Sequence, residues 1–277
     1  MKKRLMLLFM AALTMVVLAA CGGEEEKENT VKEDGTLTVG LEAAYPPFNW
    51  TQTTDANGAV KIDGSNEYAA GYDVEIAKQV AEELGLELKI KKIEWDGLLP
   101  ALQTNVIDAI IAGMSPTEER KQSIDFTSNY YTSKFVIVTK AGGKYADAKS
   151  LADFSGAHIT AQLNTTNYDV IEQIKDVKKH AGMDNFPAMR VAVETGVVDG
   201  YIAELPEAQS ATAANKNLVY VDVATEFETS EEDVAVAIGV RKNFNYTADL
   251  SKAIEAISEE TRAKLMEDAI KNQPAAQ

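Results

Sequence analysis

The sequence predicts an α/β protein of two lobes, each a mixed, mostly parallel sheet flanked by helices, joined by two hinge strands. Three observations lead there. Residues 37–112 alternate β-α-β-α-β, the pattern of parallel strands linked by right-handed crossovers. A helix–strand unit then echoes. Pro100-Ala-Leu leads to Val106-Ile-Asp108-Ala-Ile-Ile-Ala112, and Pro187-Ala-Met leads to Val197-Val-Asp199-Gly-Tyr-Ile-Ala203, the two spacings differing by about one helical turn. Two β-rich runs, 135–139 and 234–240, flank the second unit and are read as the strands that connect the lobes. The chain would cross near residue 140 and return near 234.

In chain order, residues 1–20 read as a signal peptide: Lys2, Lys3 and Arg4, then an uncharged apolar run shorter than the roughly 20 residues a bilayer-spanning helix needs. Leu18-Ala-Ala-Cys21 resembles the lipobox of bacterial lipoproteins, which implies lipid on Cys21, the only cysteine of the chain. Residues 21–35 are polar, charged and nearly free of apolar side chains. They cannot bury a core and read as a flexible tether holding a domain off a membrane. Residues 36–139 and 234–277 make lobe 1, and 140–233 make lobe 2.

Leu37, Val39 and Leu41 alternate as a strand. Asp73 is placed as the cap of a helix with the stripe Ile76, Ala77, Val80, Ala81 and Leu84, ended by Gly85. Leu86, Leu88 and Ile90 give the second strand. Asp96 opens the next helix, with Pro100 still in its first turn, and 107–112 is the third strand. Helices follow around 250–257 and 259–270. The polar insertion 51–69 is read as a mobile loop or hairpin near a cleft mouth.

The third strand runs straight into a helix start. Ser115 stands as N-cap, Pro116 at the first helical position, and Glu118 completes a Ser-x-x-Glu capping box. A helix N-terminus presents unpaired N–H groups and the positive end of a dipole, and Arg120 adds a guanidinium fork. Strand end, turn and Arg120 together suit a small carboxylate, at the carboxyl edge where ligands collect on such sheets. The net charge of −16 argues against nucleic acid and against adsorption to anionic lipid.

These residues resemble a family. Glu42-Ala-Ala-Tyr45-Pro-Pro-Phe48, Gly71-Tyr-Asp73-Val-Glu-Ile-Ala77, Trp95-Asp-Gly-Leu-Leu-Pro-Ala-Leu102, Asp108-Ala-Ile-Ile-Ala-Gly-Met-Ser115 with Thr117-Glu-Glu-Arg120, and Asp125-Phe-Thr-Ser-Asn-Tyr-Tyr131 occur in the order found in polar amino-acid substrate-binding proteins of ABC importers. That family is bacterial extracellular solute-binding protein family 3, a branch of the type II periplasmic-binding-protein fold. The resemblance implies that Arg120 pairs with a ligand α-carboxylate, helped by hydroxyl and backbone groups near Ser115 and by the loop at Thr165 and Thr166, with Met114 among the binding residues. It implies that Glu204, where many relatives carry Asp, meets the α-ammonium with groups near Gly113. Tyr45 and Trp95 would enclose the ligand side chain, with Phe48 a further wall candidate. The loop 162–166 lacks the family's usual Gly before the Thr pair, and Asn164 stands there as a residue tolerant of left-handed backbone.

Glu42 at a strand's carboxyl end, with two aromatics, favours a basic amino acid (Lys, Arg, ornithine or His) over an acidic one. Glutamine or another neutral polar ligand is the alternative within the family. A dehydratase resembling the cyclohexadienyl type is the alternative of another class. Against an enzyme, His158 and His180 are the only histidines, no Ser–His–Asp or Cys–His order stands out, and no His-Glu-x-x-His is present. The implied partners are a free amino acid and an ABC permease, with no cofactor and no metal. The expected form is a monomer anchored to the membrane through Cys21, and the acidic tether suits a Gram-positive cell surface.

Overall fold

The computed structural model of the chain describes Asn29 and residues 35–274. The leader, Cys21 and, Asn29 apart, the tether up to Asp34 lie outside the described residues.

Strand β1 (Thr36–Leu41) is buried throughout and takes parallel partners on both sides, β6 (Glu87–Lys92) and β7 (Ala109–Ile110). The first sheet is completed by two strands from farther along, in the order β6-β1-β7-β14-β8. Here β14 (Ala235–Val240) runs antiparallel to β7 and to β8 (Asp125–Thr132). The second sheet repeats the scheme in the order β11-β10-β12-β9-β13. Its parallel trio is β10 (His158–Thr160), β11 (Lys178–Lys179) and β12 (Gly200–Glu204), and β9 (Phe135–Lys140) runs antiparallel to β12 and to β13 (Leu218–Val221). Strand β9, expected as a connection outside the second lobe, is thus one of that lobe's own strands. The passages between sheets fall at Ser133–Lys134 and Asp233–Val234, where Ser133 N–H donates to the Val234 carbonyl at 2.9 Å.

The echo seen in sequence is structural. Helices α2 (Trp95–Gln103) and α5 (Phe186–Thr195) feed β7 and β12. After each helix a left-handed residue, Asn105 (φ 61) or Gly196 (φ 76), turns the chain. Val106 N–H then reaches the Ala101 carbonyl and Val197 N–H the Ala192 carbonyl, each at 2.9 Å. Asp108 accepts from Thr38 N–H at 2.9 Å and Asp199 from His158 N–H at 2.8 Å, so each carboxylate ties its strand to the neighbouring parallel one.

Helix α1 (Tyr72–Glu83) packs Ile76, Ala77, Val80 and Ala81 on lobe 1 and ends at left-handed Gly85. Asp73 does not cap it. Gly71 (φ 124) precedes the helix, and Asp73 lies in the first turn, buried. Pro100 sits in the second turn of α2, not the first. The capping box at Ser115 does not form either. Thr117 caps α3 (Glu118–Lys121), accepting from Arg120 N–H at 3.3 Å, while Ser115 Oγ donates to the Asp233 carbonyl at 3.0 Å. A helix of one turn has no macrodipole of consequence, so its N-terminus adds little to the binding of a carboxylate.

The insertion is ordered as strands. β3 (Asn49–Gln52), β4 (Val60–Lys61) and β5 (Tyr68–Ala70) join β2 (Ala44–Tyr45) in a four-stranded sheet, order β2-β3-β5-β4. Helices α8 (Thr247–Ala256) and α9 (Glu259–Asn272) close the described chain, with α8 on β8 and α1. Helix α9 touches both α1 and α6 (Leu205–Ala214) of lobe 2, where Gln273 Nε2 donates to the Ser210 carbonyl at 2.9 Å. Among the described residues no helix is long and apolar enough to cross a membrane.

Candidate functional site

The carboxyl ends of β1 and β7 face the carboxyl end of β12 across a cleft. Tyr45, Trp95, Ala112, Gly113, Ser115 and Arg120 form its lobe-1 side. Gln162, Thr165, Thr166, Asn167, Phe186 and Glu204 form the other. Eight of the residues singled out in sequence are therefore brought together there, while Glu42 and Met114 lie behind the wall. Met114 is buried, and its carbonyl accepts from Ala237 N–H at 3.0 Å. Phe48 is core, stacked on Tyr45 at 4.7 Å. His158 and His180 do not line the cleft.

Arg120 is aimed by its neighbours. Nη1 donates to the Ser115 carbonyl at 2.9 Å, Nη2 to the Asn164 carbonyl at 3.1 Å, and the guanidinium lies 5.2 Å from the centre of the Trp95 ring. Burial pulls its pKa down to about 10, which leaves it charged at neutral pH. Glu204 ends β12 on the opposite side and accepts from the Tyr45 hydroxyl. Burial pushes its carboxyl up, and the Tyr45 hydrogen bond opposes that. The buried ion pairs of the described residues are Arg190–Glu207 and Arg241–Asp108, and Arg120 and Glu204 belong to neither.

Direct contacts already bridge the two sides. Tyr45 stacks on Phe186 with centroids 4.4 Å apart and planes at 9°. Asn164, left-handed at φ 58, is a hub: its carbonyl accepts from Arg120 and from Trp95 Nε1 (3.2 Å), and its Nδ2 donates to Asp96 at 2.8 Å. Gln162 Nε2 donates to Glu42 at 3.0 Å. Glu42 is 2% exposed, and among the described residues its second oxygen has no hydrogen-bond partner. Burial raises its pKa to about 7, against the Gln162 hydrogen bond and helped by Glu94 and Asp96.

Sequence reasoning missed Phe186 and the roles of Gln162, Asn164 and Asp96. Phe186 carried a usable signal. Asn185 caps α5, accepting from Ala188 N–H at 3.0 Å, so the aromatic after it falls on the helix's first turn, at the end that faces the cleft. Among the described residues, no group of three or more His, Cys, Asp or Glu is placed to hold a metal ion.

Residues 37–271 match the family described as bacterial extracellular solute-binding proteins, family 3. The L-cystine-binding protein TcyJ of Escherichia coli (strain K12) is 30% identical over 233 residues, covering 83% of this chain and 79% of that protein. The L-arginine-binding protein of Pseudomonas aeruginosa is 30% identical over 256 residues, covering 86% and 89%. Among solved structures, the amino acid ABC transporter substrate-binding protein AbpA from Streptococcus pneumoniae, bound to L-arginine, superposes with a TM-score of 0.71. It is 26% identical, with 86% of this chain and 95% of that one covered.

Proposed function

The chain belongs to family 3 of the bacterial extracellular solute-binding proteins, and from that premise we propose that it binds a free amino acid and delivers it to an ABC permease. The observation that carries this reading is the cleft's charge pattern. Arg120 stands half-buried on lobe 1 and Glu204 buried on lobe 2, and neither is in an ion pair among the described residues. A zwitterion of amino-acid size offers each the charge it lacks. A ligand touching both lobes favours the closed arrangement, and closure is what a permease can sense. Arg120, Ser115, Thr165 and Thr166 then hold the α-carboxylate, and Glu204 with the turn at Gly113 holds the α-ammonium. Tyr45, Trp95 and Phe186 enclose the side chain. The protein acts as a binder, without catalysis.

The ligand is a basic amino acid, with Glu42 as selector. Support comes from Glu42's buried, half-satisfied carboxylate, from a relative named for arginine and from a similar structure bound to L-arginine. For that ligand to reach Glu42, Gln162 swings aside. The second reading, a neutral polar ligand such as glutamine or cystine, is favoured by the same Gln162 cap and by the relative named for cystine. The leader and lipobox support export and anchoring through Cys21, and the acidic tether after it suits a Gram-positive cell surface. A thermal-shift screen against the twenty amino acids, ornithine and cystine tests the proposal. Stabilisation by Lys, Arg, ornithine or His alone supports the basic reading, a response to neutral ligands supports the second, and silence to all refutes amino-acid binding.

A further inference from the structure

Asp73 holds a buried carboxylate that the binding proposal leaves without a task. It is 0% exposed, and two side chains converge on it. Asn49 Nδ2 donates to Oδ2 at 2.7 Å, and the Tyr130 hydroxyl donates to Oδ1 at 2.7 Å. Each donor is itself an acceptor for one backbone N–H: Ala43 N–H reaches Asn49 Oδ1 at 2.7 Å, and Gly113 N–H reaches the Tyr130 oxygen at 3.3 Å.

The order of these bonds is dictated from the centre. An ionised carboxylate only accepts. Asn49 must therefore turn its NH₂ inward, which leaves its carbonyl for Ala43. Tyr130 must spend its single proton on Asp73, which leaves its lone pairs for Gly113. Burial raises the Asp73 carboxyl to about 6, opposed by both donors, so it is ionised at neutral pH.

Both N–H groups belong to left-handed turns. Ala43 has φ 54, a conformation L-residues avoid, and Gly113 has φ 66. The first turn joins Glu42 to Tyr45, and the second is cleft wall. Pinning Gly113 N–H inward also turns the Ala112 carbonyl the opposite way, because the peptide unit is planar and trans. We propose that Asp73 is a positioning residue for the cleft, setting the turns at Ala43 and Gly113 through Asn49 and Tyr130. This rests on the amino-acid-binding reading.

The test uses full-length protein and calorimetry, at a temperature where circular dichroism shows each variant folded. The wild type is titrated with the twenty amino acids, ornithine and cystine, and the variants with the tightest of these. Silence of the wild type to all of them sinks the binding reading and this assignment with it. Where the wild type binds, Asp73→Asn is expected to weaken affinity about tenfold, because an amide there meets Asn49 or Tyr130 donor to donor. Adding Asn49→Asp restores one carboxylate and every donor–acceptor match, and affinity is expected to recover to within about threefold. A merely structural Asp73 would lower the melting temperature but leave the dissociation constant of the folded protein unchanged. Unchanged affinity in Asp73→Asn, or no recovery in the double variant, overturns the assignment. If Asp73→Asn does not fold, Tyr130→Phe takes its place, with the same tenfold loss expected and unchanged affinity again overturning it.

Discussion

Glu42 makes the choice of ligand testable by counting protons. A cationic side chain laid against it needs the charged carboxylate, so only the ionised fraction of the protein is competent. Burial brings the Glu42 pKa to about 7, which makes that fraction about one half at pH 7 and about one tenth at pH 6. Affinity for L-arginine is therefore expected to fall about tenfold from pH 8 to pH 6, and binding at pH 7 to release about half a proton. Calorimetry in two buffers of different ionisation heat measures that release. L-Glutamine is the control, because it brings no cation while sharing every other titration, Asp73 included. Glu42→Gln is expected to flatten the arginine profile. It is also expected to stabilise the free protein above pH 7. Between pH 4.5 and about 7 the native state keeps a proton that the unfolded chain has lost, so the wild type loses stability as pH rises through that window. The loss amounts to about 3 kcal/mol once pH exceeds the folded value. Proton release equal for both ligands, or none with arginine while arginine binds, refutes Glu42 as selector.

Arg120→Ala and Glu204→Ala are each expected to weaken amino-acid binding on the order of 100-fold by calorimetry, since each leaves one ligand charge desolvated and unpaired, while the free proteins remain folded by circular dichroism. Gly113→Ala is expected to cost about 1–3 kcal/mol in chemical denaturation and to weaken binding. Its backbone is left-handed at φ 66, and the added Cβ would stand 2.5 Å from Tyr45 Cε1, pushing that ring off Phe186. Asn164→Gly keeps the φ 58 turn but loses the 2.8 Å bond to Asp96, so stopped-flow is expected to show ligand dissociation a few-fold faster with little change in association.

What was legible in the sequence was whatever depended on one periodicity and one neighbour. β1, α1, β6, α8 and α9 each bury a face that their own apolar spacing announces. The capping box failed for a reason no local rule contains. Ser115 spends its hydroxyl on the Asp233 carbonyl, 118 residues away, and the helix does not start until Thr117 caps it. Strand β9 failed likewise, since Phe135-Val-Ile-Val-Thr139 announces a strand but not the sheet it joins. At the cleft, motif residues on each lobe could be named. The contacts between lobes, Gln162 to Glu42, Asn164 to Arg120 and Phe186 to Tyr45, could not, because they exist only once two separately specified surfaces meet. Asp73 is the instructive case. The same residue fits a cap rule and a buried acceptor, and the decision was made by Asn49 and Tyr130 from two other elements.

The order of strands β6-β1-β7-β14-β8 has a consequence for how the chain reaches its native state. β14 lies between β7 and β8, yet it follows β8 only after the whole of the second sheet. A ribosome releasing the chain from its N-terminus cannot supply that inner strand until lobe 2 has emerged. Closing so long a loop from a disordered chain costs on the order of 4 kcal/mol in entropy. Lobe 2 is contiguous, however, and its two ends meet at the Ser133–Val234 hydrogen bond of 2.9 Å. Once it has folded, it delivers β14 to the waiting gap between β7 and β8 and most of that entropic barrier is gone. In refolding followed by stopped-flow fluorescence, mutations slowing the assembly of lobe 2 are therefore expected to delay both lobes, whereas mutations in lobe 1 are expected to delay only lobe 1.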